Sequence, residues 1–253
     1  MNAVYPEESK KIDFIAHLEE LRKRILISLA VIVVCSVAVF TKCGLIMSVI
    51  TSPVREYTGK LVFISPTEAF SAYIKVSILA SIVLVFPLII YEVWAFLGPA
   101  FKKDFRKRLM VWLIAAAGLF YIGVIFSYLV AIPAALSFLL TFAVNVAEPA
   151  ITIGKYISFF CALEITGGII FILPVCLGLL ADAELVSSAF LRTKRPLAVI
   201  AIMVFAAIIT PTQDIVNMLI FAIPMILLFE AGVLLARCIE RRKRSSSSHL
   251  ITH

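Results

Sequence analysis

Six stretches of this chain carry at most two charged residues each and are otherwise almost wholly apolar: about Ile25–Thr41, Tyr73–Leu97, Leu109–Val130, Tyr156–Leu180, Pro196–Thr210 and Ile215–Ala236. A helix rises about 1.5 Å per residue, so about 20 apolar residues match a hydrocarbon core about 30 Å thick. Runs of this length, repeated six times, predict an all-α polytopic membrane bundle. Composition agrees: 62% of the 253 residues are hydrophobic and 15% charged, against roughly 45–50% and 25% in soluble domains. Pro87, Pro174 and Pro224 fall inside these runs, which lipid-embedded helices tolerate when neighbours satisfy the freed backbone groups. The fifth run is too short to cross an unthinned bilayer, which predicts either local thinning or shielding by neighbouring helices.

Charge sets an expected orientation. Of the 23 Lys and Arg, 18 fall in residues 1–24, the loop at 102–108, the loop at 192–195 and the tail after Leu235; Lys42, Arg55, Lys60, Lys75 and Lys155 make up the rest. The positive-inside rule then places both termini in the cytoplasm. The net charge of +7 is largely topological, which argues against a nucleic-acid partner. The 24 residues before the first run are mixed polar and apolar, and no small-residue cleavage site follows it, so the first span is expected to be retained. The five cysteines have neither CxxC nor metal-ligand spacing, and no phosphate loop or nucleophile–base motif is present. No cofactor, metal or enzymatic activity is expected.

Ahead of the first run lies Phe14–Arg24, FIAHLEELRKR. His17, Glu20 and Arg24 share one face of a helix there, and Glu19 and Lys23 form a supporting i,i+4 pair. On charge alone this is either an amphipathic lead-in or a docking surface whose carboxylate awaits a cationic partner. His-Leu-x-Glu-Leu-Arg-x-Arg ahead of an apolar run, then SPTEAF (Ser65–Phe70), YEVWAFLGPA (Tyr91–Ala100), Phe-x-Leu-Pro-Val (Phe171–Val175) and IITP (Ile208–Pro211), resembles, motif by motif and in order, the TatC family of the twin-arginine protein translocase. The resemblance runs from about Phe14 to Leu235.

The resemblance implies a glove-like six-helix bundle in a bacterial-type inner membrane. It implies a receptor that binds twin-arginine signal peptides of folded cargo and nucleates assembly with single-span partner subunits, with self-association and transport driven by the proton-motive force. Glu20, Arg22, His17 and Phe96 match the family's signal-peptide positions, and Pro53 matches a structural one. The family's second carboxylate, in the loop after span two, is replaced here by Phe105, with Asp104 beside it as the expected substitute. Glu92 stands where the family often has a neutral amide and is read as a supporting or interfacial group. Glu68 is expected to cap a helix start. At the outer end of span six, Thr210, Asp214, Asn217 and Met218 occupy the region of partner-subunit contact, although the family's glutamine there is Met218 here. The family's glutamate in Phe-x-Leu-Pro is Ile172.

A different carboxylate, Glu164, lies eight residues earlier in span four. On a continuous helix that is about 80° and about 12 Å away, on a neighbouring face. An ionisable group at such depth is costly and marks an intramembrane polar site. Taken alone, Glu164 also fits a small secondary transporter or proton-conducting protein, which the lack of a visible inverted repeat disfavours. The domain reading is one unit over 1–236 with outer-face caps at about 43–72 and 131–153. The basic, Ser-rich segment 237–253 is expected to be disordered.

Overall fold

The computed structural model describes residues 6–58, 61–98, 103–141, 150–209 and 215–249; the regular elements among them are helices, joined by turns, with one isolated parallel bridge between Val62 and Thr152. The first helix, α1, spans Pro6–Phe40; two short helices, α2 (Cys43–Ile50) and α3 (Ser52–Thr58), follow it. Next come α4 (Pro66–Leu97), α5 (Lys103–Phe126), a π-helical turn (Ser127–Ala131) and α6 (Ile132–Thr141). The chain continues as α7 (Ile153–Phe171), α8 (Leu173–Asp182), α9 (Ser188–Thr193), α10 (Arg195–Ile209) and α11 (Ile215–His249). Among the described residues five helical stretches are long and apolar enough to cross a membrane: His17–Phe40, Pro66–Leu97, Phe105–Leu140, Ile153–Asp182 and Met218–Lys243. The sixth apolar helix, α10, has only 15 residues, about 22 Å of rise.

The core gathers around α7. Ile157 and Leu163 are fully buried there, with Val76 of α4, Ile132 of α6 and Val233 of α11. By contrast, the apolar stretch of α1 has no buried residue; α1 lies on the rim, packed on α4. The outward surface is itself apolar, with Val34, Val37, Val111, Leu227 and Ile208 all largely exposed. A face of this kind suits lipid and not water.

Three element boundaries differ from the sequence reading. The second span starts at Pro66 and not at Tyr73. Pro66 occupies the first helical turn, where its missing N–H would have no partner anyway. The cap expected at about 131–153 is, over 132–141, a continuation of span three. Pro133 brings no N–H to the ladder, and the helix passes it through a π turn in which Ile132 N–H donates to the Ser127 carbonyl five residues back. The tail expected to be disordered from 237 is helical to His249. Arg, Lys and Glu are good helix formers, and the extension is tied down: Ser188 N donates to Glu240 (2.6 Å), and Lys243 Nζ reaches Glu184 (2.8 Å).

Within 43–72 the chain forms α2, α3 and the start of α4. Tyr128 and Tyr156 donate hydroxyls to the carbonyls of Val49 (3.0 Å) and Ile50 (2.6 Å) at the end of α2. Pro53 sits in the first turn of α3. Glu68 accepts from Ile64 N (3.0 Å) and, across the bundle, from Gly154 N (2.9 Å) in the first turn of α7. A carboxylate there also suits the positive end of the helix dipole. Gly154 is required for this approach, since a Cβ would lie 2.6 Å from Glu68 Cγ.

Small residues let α5 and α7 touch. A Cβ on Gly167 would come within 2.7 Å of Ser127 Cβ, and one on Gly123 would overlap the Gly167 carbonyl. Close backbone approach of this sort is how helices associate where lipid tails remove the hydrophobic drive. Ser127 adds a hydrogen bond to the Leu163 carbonyl (2.9 Å).

Pro87 lies inside α4 and cannot donate to the carbonyl four residues back, that of Val83. Tyr121 of α5 supplies the missing donor at 2.9 Å. Tyr121→Phe should therefore destabilise the protein by about 1 kcal/mol. The same change in a Pro87→Ala background should cost much less, because the backbone N–H reclaims Val83. Melting temperatures of the four proteins in one detergent check this. Equal losses in the two backgrounds would refute the pairing.

Candidate functional site

Helical spacing places His17, Glu20 and Arg24 on one face of α1, and the last turns of α4 bring Glu92 and Phe96 against that face. Arg24 donates from Nη2 (2.7 Å) and Nε (3.1 Å) to Glu20 Oε1, and from Nη1 to Glu92 Oε2 (3.0 Å). One guanidinium thus joins two carboxylates carried by different helices. The His17 and Phe96 rings stack with centroids 4.3 Å apart and planes 19° from parallel. The Glu20 side chain keeps 35% of its surface exposed and Glu92 only 12%. From this bridge a groove of about 320 Å³ runs between the helices, lined by Leu21, Ile25, Leu29, Ile89, Val93 and Phe96 among others. Its charged groups are at one end; the remainder is apolar apart from Ser28.

Of the residues read as signal-peptide contacts, the structure brings together Glu20, His17 and Phe96. Arg22 does not join them: it is exposed and lines a separate surface depression with Glu19, Lys23 and Leu26. The reason is angular, since two positions along a helix is about 200°. Asp104 is in the first turn of α5, and its side chain lies outside what the structure describes. Nearby, Arg106 stacks over Trp94 (4.6 Å to the ring centroid) and Arg108 over Phe105 (5.5 Å). The first contact holds the start of α5 to the end of α4, and the second lies within α5.

Glu164 is 3% exposed, and its Oε2 has no hydrogen-bond partner among the described residues. It lines an apolar cavity of about 470 Å³ with Ile50, Leu79, Val83, Tyr128 and Phe160. An unsatisfied buried polar atom costs about 1–3 kcal/mol, which sets this carboxyl apart from every paired one on the protein. Ile172, where a family carboxylate would stand, sits at the break between α7 and α8. The continuous-helix angle of the sequence reading is therefore interrupted there, with Pro174 in the first turn of α8.

Thr210 and Asp214 lie outside the described residues, as does the Asn217 side chain. Met218 is half-buried and packed against the core.

Sequence reasoning missed a third charged cluster. Asp182, at the end of α8 and 5% exposed, accepts from Arg108 Nε (3.1 Å) and Trp112 Nε1 (3.1 Å) and pairs with Lys243 (3.5 Å). Glu184 follows in a left-handed turn (φ 63°), and its bond from Lys243 holds its carboxyl below the ordinary range. A lone acid ending an apolar run was the available signal; its partners come from α5 and α11 and carry none.

The family model for Sec-independent protein translocase protein (TatC) matches residues 16–224. The chain is 34% identical to the Sec-independent protein translocase protein TatC of Carboxydothermus hydrogenoformans, over 94% of this chain and 98% of that one. It is 33% identical to the protein of the same name from Escherichia coli K12, over 88% and 87%. A crystal structure of the twin arginine translocase receptor TatC superposes with a TM-score of 0.78 at 30% identity, covering 88% of this chain and 99% of that one.

Proposed function

The chain belongs to the TatC family of Sec-independent protein translocase proteins, and on that footing we propose that it is the receptor that binds twin-arginine signal peptides of folded cargo. The observation that carries this reading is the carboxylate pair Glu20 and Glu92, joined through Arg24, with Arg24 and Glu92 lining an otherwise apolar groove. A signal peptide presents basic residues ahead of an apolar stretch, which is the same order of chemistry along one line. Guanidiniums bind carboxylates in bidentate fashion, and such charge-assisted pairs are roughly twice as strong as neutral hydrogen bonds. Glu20 docks the arginine pair. His17 and Phe96 wall the entrance by stacking on one another. Arg22 contributes positive charge from the adjacent face, and Asp104 stands at the start of α5 as a further acid.

In this reading the protein sits in a bacterial-type inner membrane, crosses it six times with α10 as the short span, and keeps both termini in the cytoplasm. It works as a transport component and not as an enzyme, self-associates, and nucleates single-span partner subunits for export driven by the proton-motive force. Thr210, Asp214, Asn217 and Met218 form the partner contact at the outer end of α11. Glu164 is the intramembrane polar site, and its cavity admits water or a polar group of a partner helix.

Three outcomes are expected. Glu20→Ala should abolish export of folded cargo while protein level and insertion stay normal, because a part-exposed surface charge contributes only about 0–1 kcal/mol to the fold; unimpaired export would end the docking role. For orientation, single cysteines on a Cys-less background should resist an impermeant reagent in spheroplasts at position 245 and react at position 56, and the reverse pattern would invert the topology. Glu164→Ala should impair export and Glu164→Gln should preserve part of it, as an amide keeps hydrogen-bonding capacity. Wild-type export by Glu164→Ala would leave α7 without a functional carboxyl.

A further inference from the structure

One guanidinium serves two carboxylates at the α1–α4 junction. Three N–H groups of Arg24 are used there, two on Glu20 Oε1 and one on Glu92 Oε2. Glu20 Oε2 and Glu92 Oε1 have no hydrogen bond among the described residues. The triad therefore has one negative charge in excess and two acceptor oxygens unused. Glu92 is nearly buried at 12% exposure, yet its only ion-pair partner among the described residues is Arg24 from another helix. A fixed structural pair has no need of the second acid: Glu20 and Arg24 already satisfy each other at i,i+4.

Resting on the receptor reading above, we infer that Glu92 is a second docking carboxylate and that Arg24 is an internal stand-in for one guanidinium of the ligand. Two adjacent arginines match the two carboxylates one to one, and each supplies the planar fork that Arg24 now divides between them. When they dock, Arg24 leaves. Its side chain is long and part-exposed, with 24% of its surface accessible, and it reaches the interface by extending along the helix. A lysine pair lacks the fork and does not displace a guanidinium already held by three hydrogen bonds to two carboxylates. Self-occupancy thereby sharpens the choice of arginine over lysine. The apolar groove beneath, walled by Ile25, Leu29, Ile89 and Val93, takes the apolar residues that follow the pair.

The consequence for affinity has a definite sign. A site that is occupied by its own side chain binds in proportion to the fraction of time it is vacant. Removing Arg24 empties it and leaves two carboxylates repelling each other, a repulsion the ligand relieves. Were Arg24 only a bolt between α1 and α4, its removal would loosen the site and weaken binding.

The test uses the full-length protein in detergent and two fluorescent peptides, identical except for Arg–Arg or Lys–Lys ahead of an apolar stretch, read by anisotropy. Arg24→Gln should tighten Arg–Arg binding by about threefold or more, as vacancy rises. It should also narrow the ratio of Arg–Arg to Lys–Lys affinity, a readout that a purely structural role would leave unchanged. Glu92→Gln should weaken Arg–Arg binding and leave Lys–Lys binding nearly unaltered. Arg24→Lys keeps the charge and loses the fork, so it should also bind Arg–Arg more tightly than wild type; it decides the matter if Arg24→Gln does not yield monodisperse protein. Equal or weaker Arg–Arg binding by the folded Arg24 variant, or wild-type binding by Glu92→Gln, overturns the inference and leaves the receptor reading in place. Wild-type protein that does not distinguish Arg–Arg from Lys–Lys overturns both.

Discussion

Hydrocarbon offers the polypeptide no hydrogen-bond partner, and most of what is particular about this bundle follows from that. A water-exposed helix with an internal proline leaves its orphan carbonyl to solvent. Here the carbonyl of Val83, released by Pro87, is met by the Tyr121 hydroxyl, and the end of α2 is met by Tyr128 and Tyr156. At Pro133 the helix changes its own register through a π turn. The first two solutions use an inward-facing tyrosine hydroxyl and the third the backbone itself, while the lipid-facing surface stays apolar.

Against this background of satisfied groups, Glu164 is an exception. Its Oε2 is buried and unpartnered beside an apolar cavity, so the fold carries a local cost it does not need for packing. Such costs persist where function requires them. The ionic groups at the ends of the helices behave differently. Asp182 is saturated by three donors from two other helices and locks the C-terminal extension of α11 to the bundle. The Glu20–Arg24–Glu92 bridge is undersaturated and lies on the rim helix, α1, whose apolar stretch buries nothing fully. A helix packed chiefly on α4 can shift without disturbing the core around α7. The charges of this bridge are thus kept apart from the packing that holds the core together.

What could be read from the chain alone came from local rules. Apolar length, proline positions and the i, i+3, i+7 spacing of His17, Glu20 and Arg24 follow from helical rise and the cost of placing charge in lipid. They predicted an all-α membrane bundle, the short fifth helix, and Glu20 and Glu164 as residues to examine. The boundaries went wrong where helices outrun their apolar stretch: α4 begins seven residues early at Pro66, and α11 continues through a charged segment to His249. Helix propensity and interhelical ion pairs, not hydrophobicity, decide those ends.

Only the tertiary structure decided which groups meet. Arg24 and Glu92 are 68 residues apart, Tyr121 and Val83 are 38, and Asp182 draws partners 74 and 61 residues away. Such pairings depend on the crossing of whole helices, which is set by glycines at the α5–α7 contact and by side-chain packing summed over many residues. No local pattern near Glu92 says that an arginine will lie 3.0 Å away. The sequence determined that this chain lives in a membrane as helices and which carboxylates stand near its surface. Which of those carboxylates share a cation was settled by helix packing, because that depends on geometry in three dimensions and not on spacing along one.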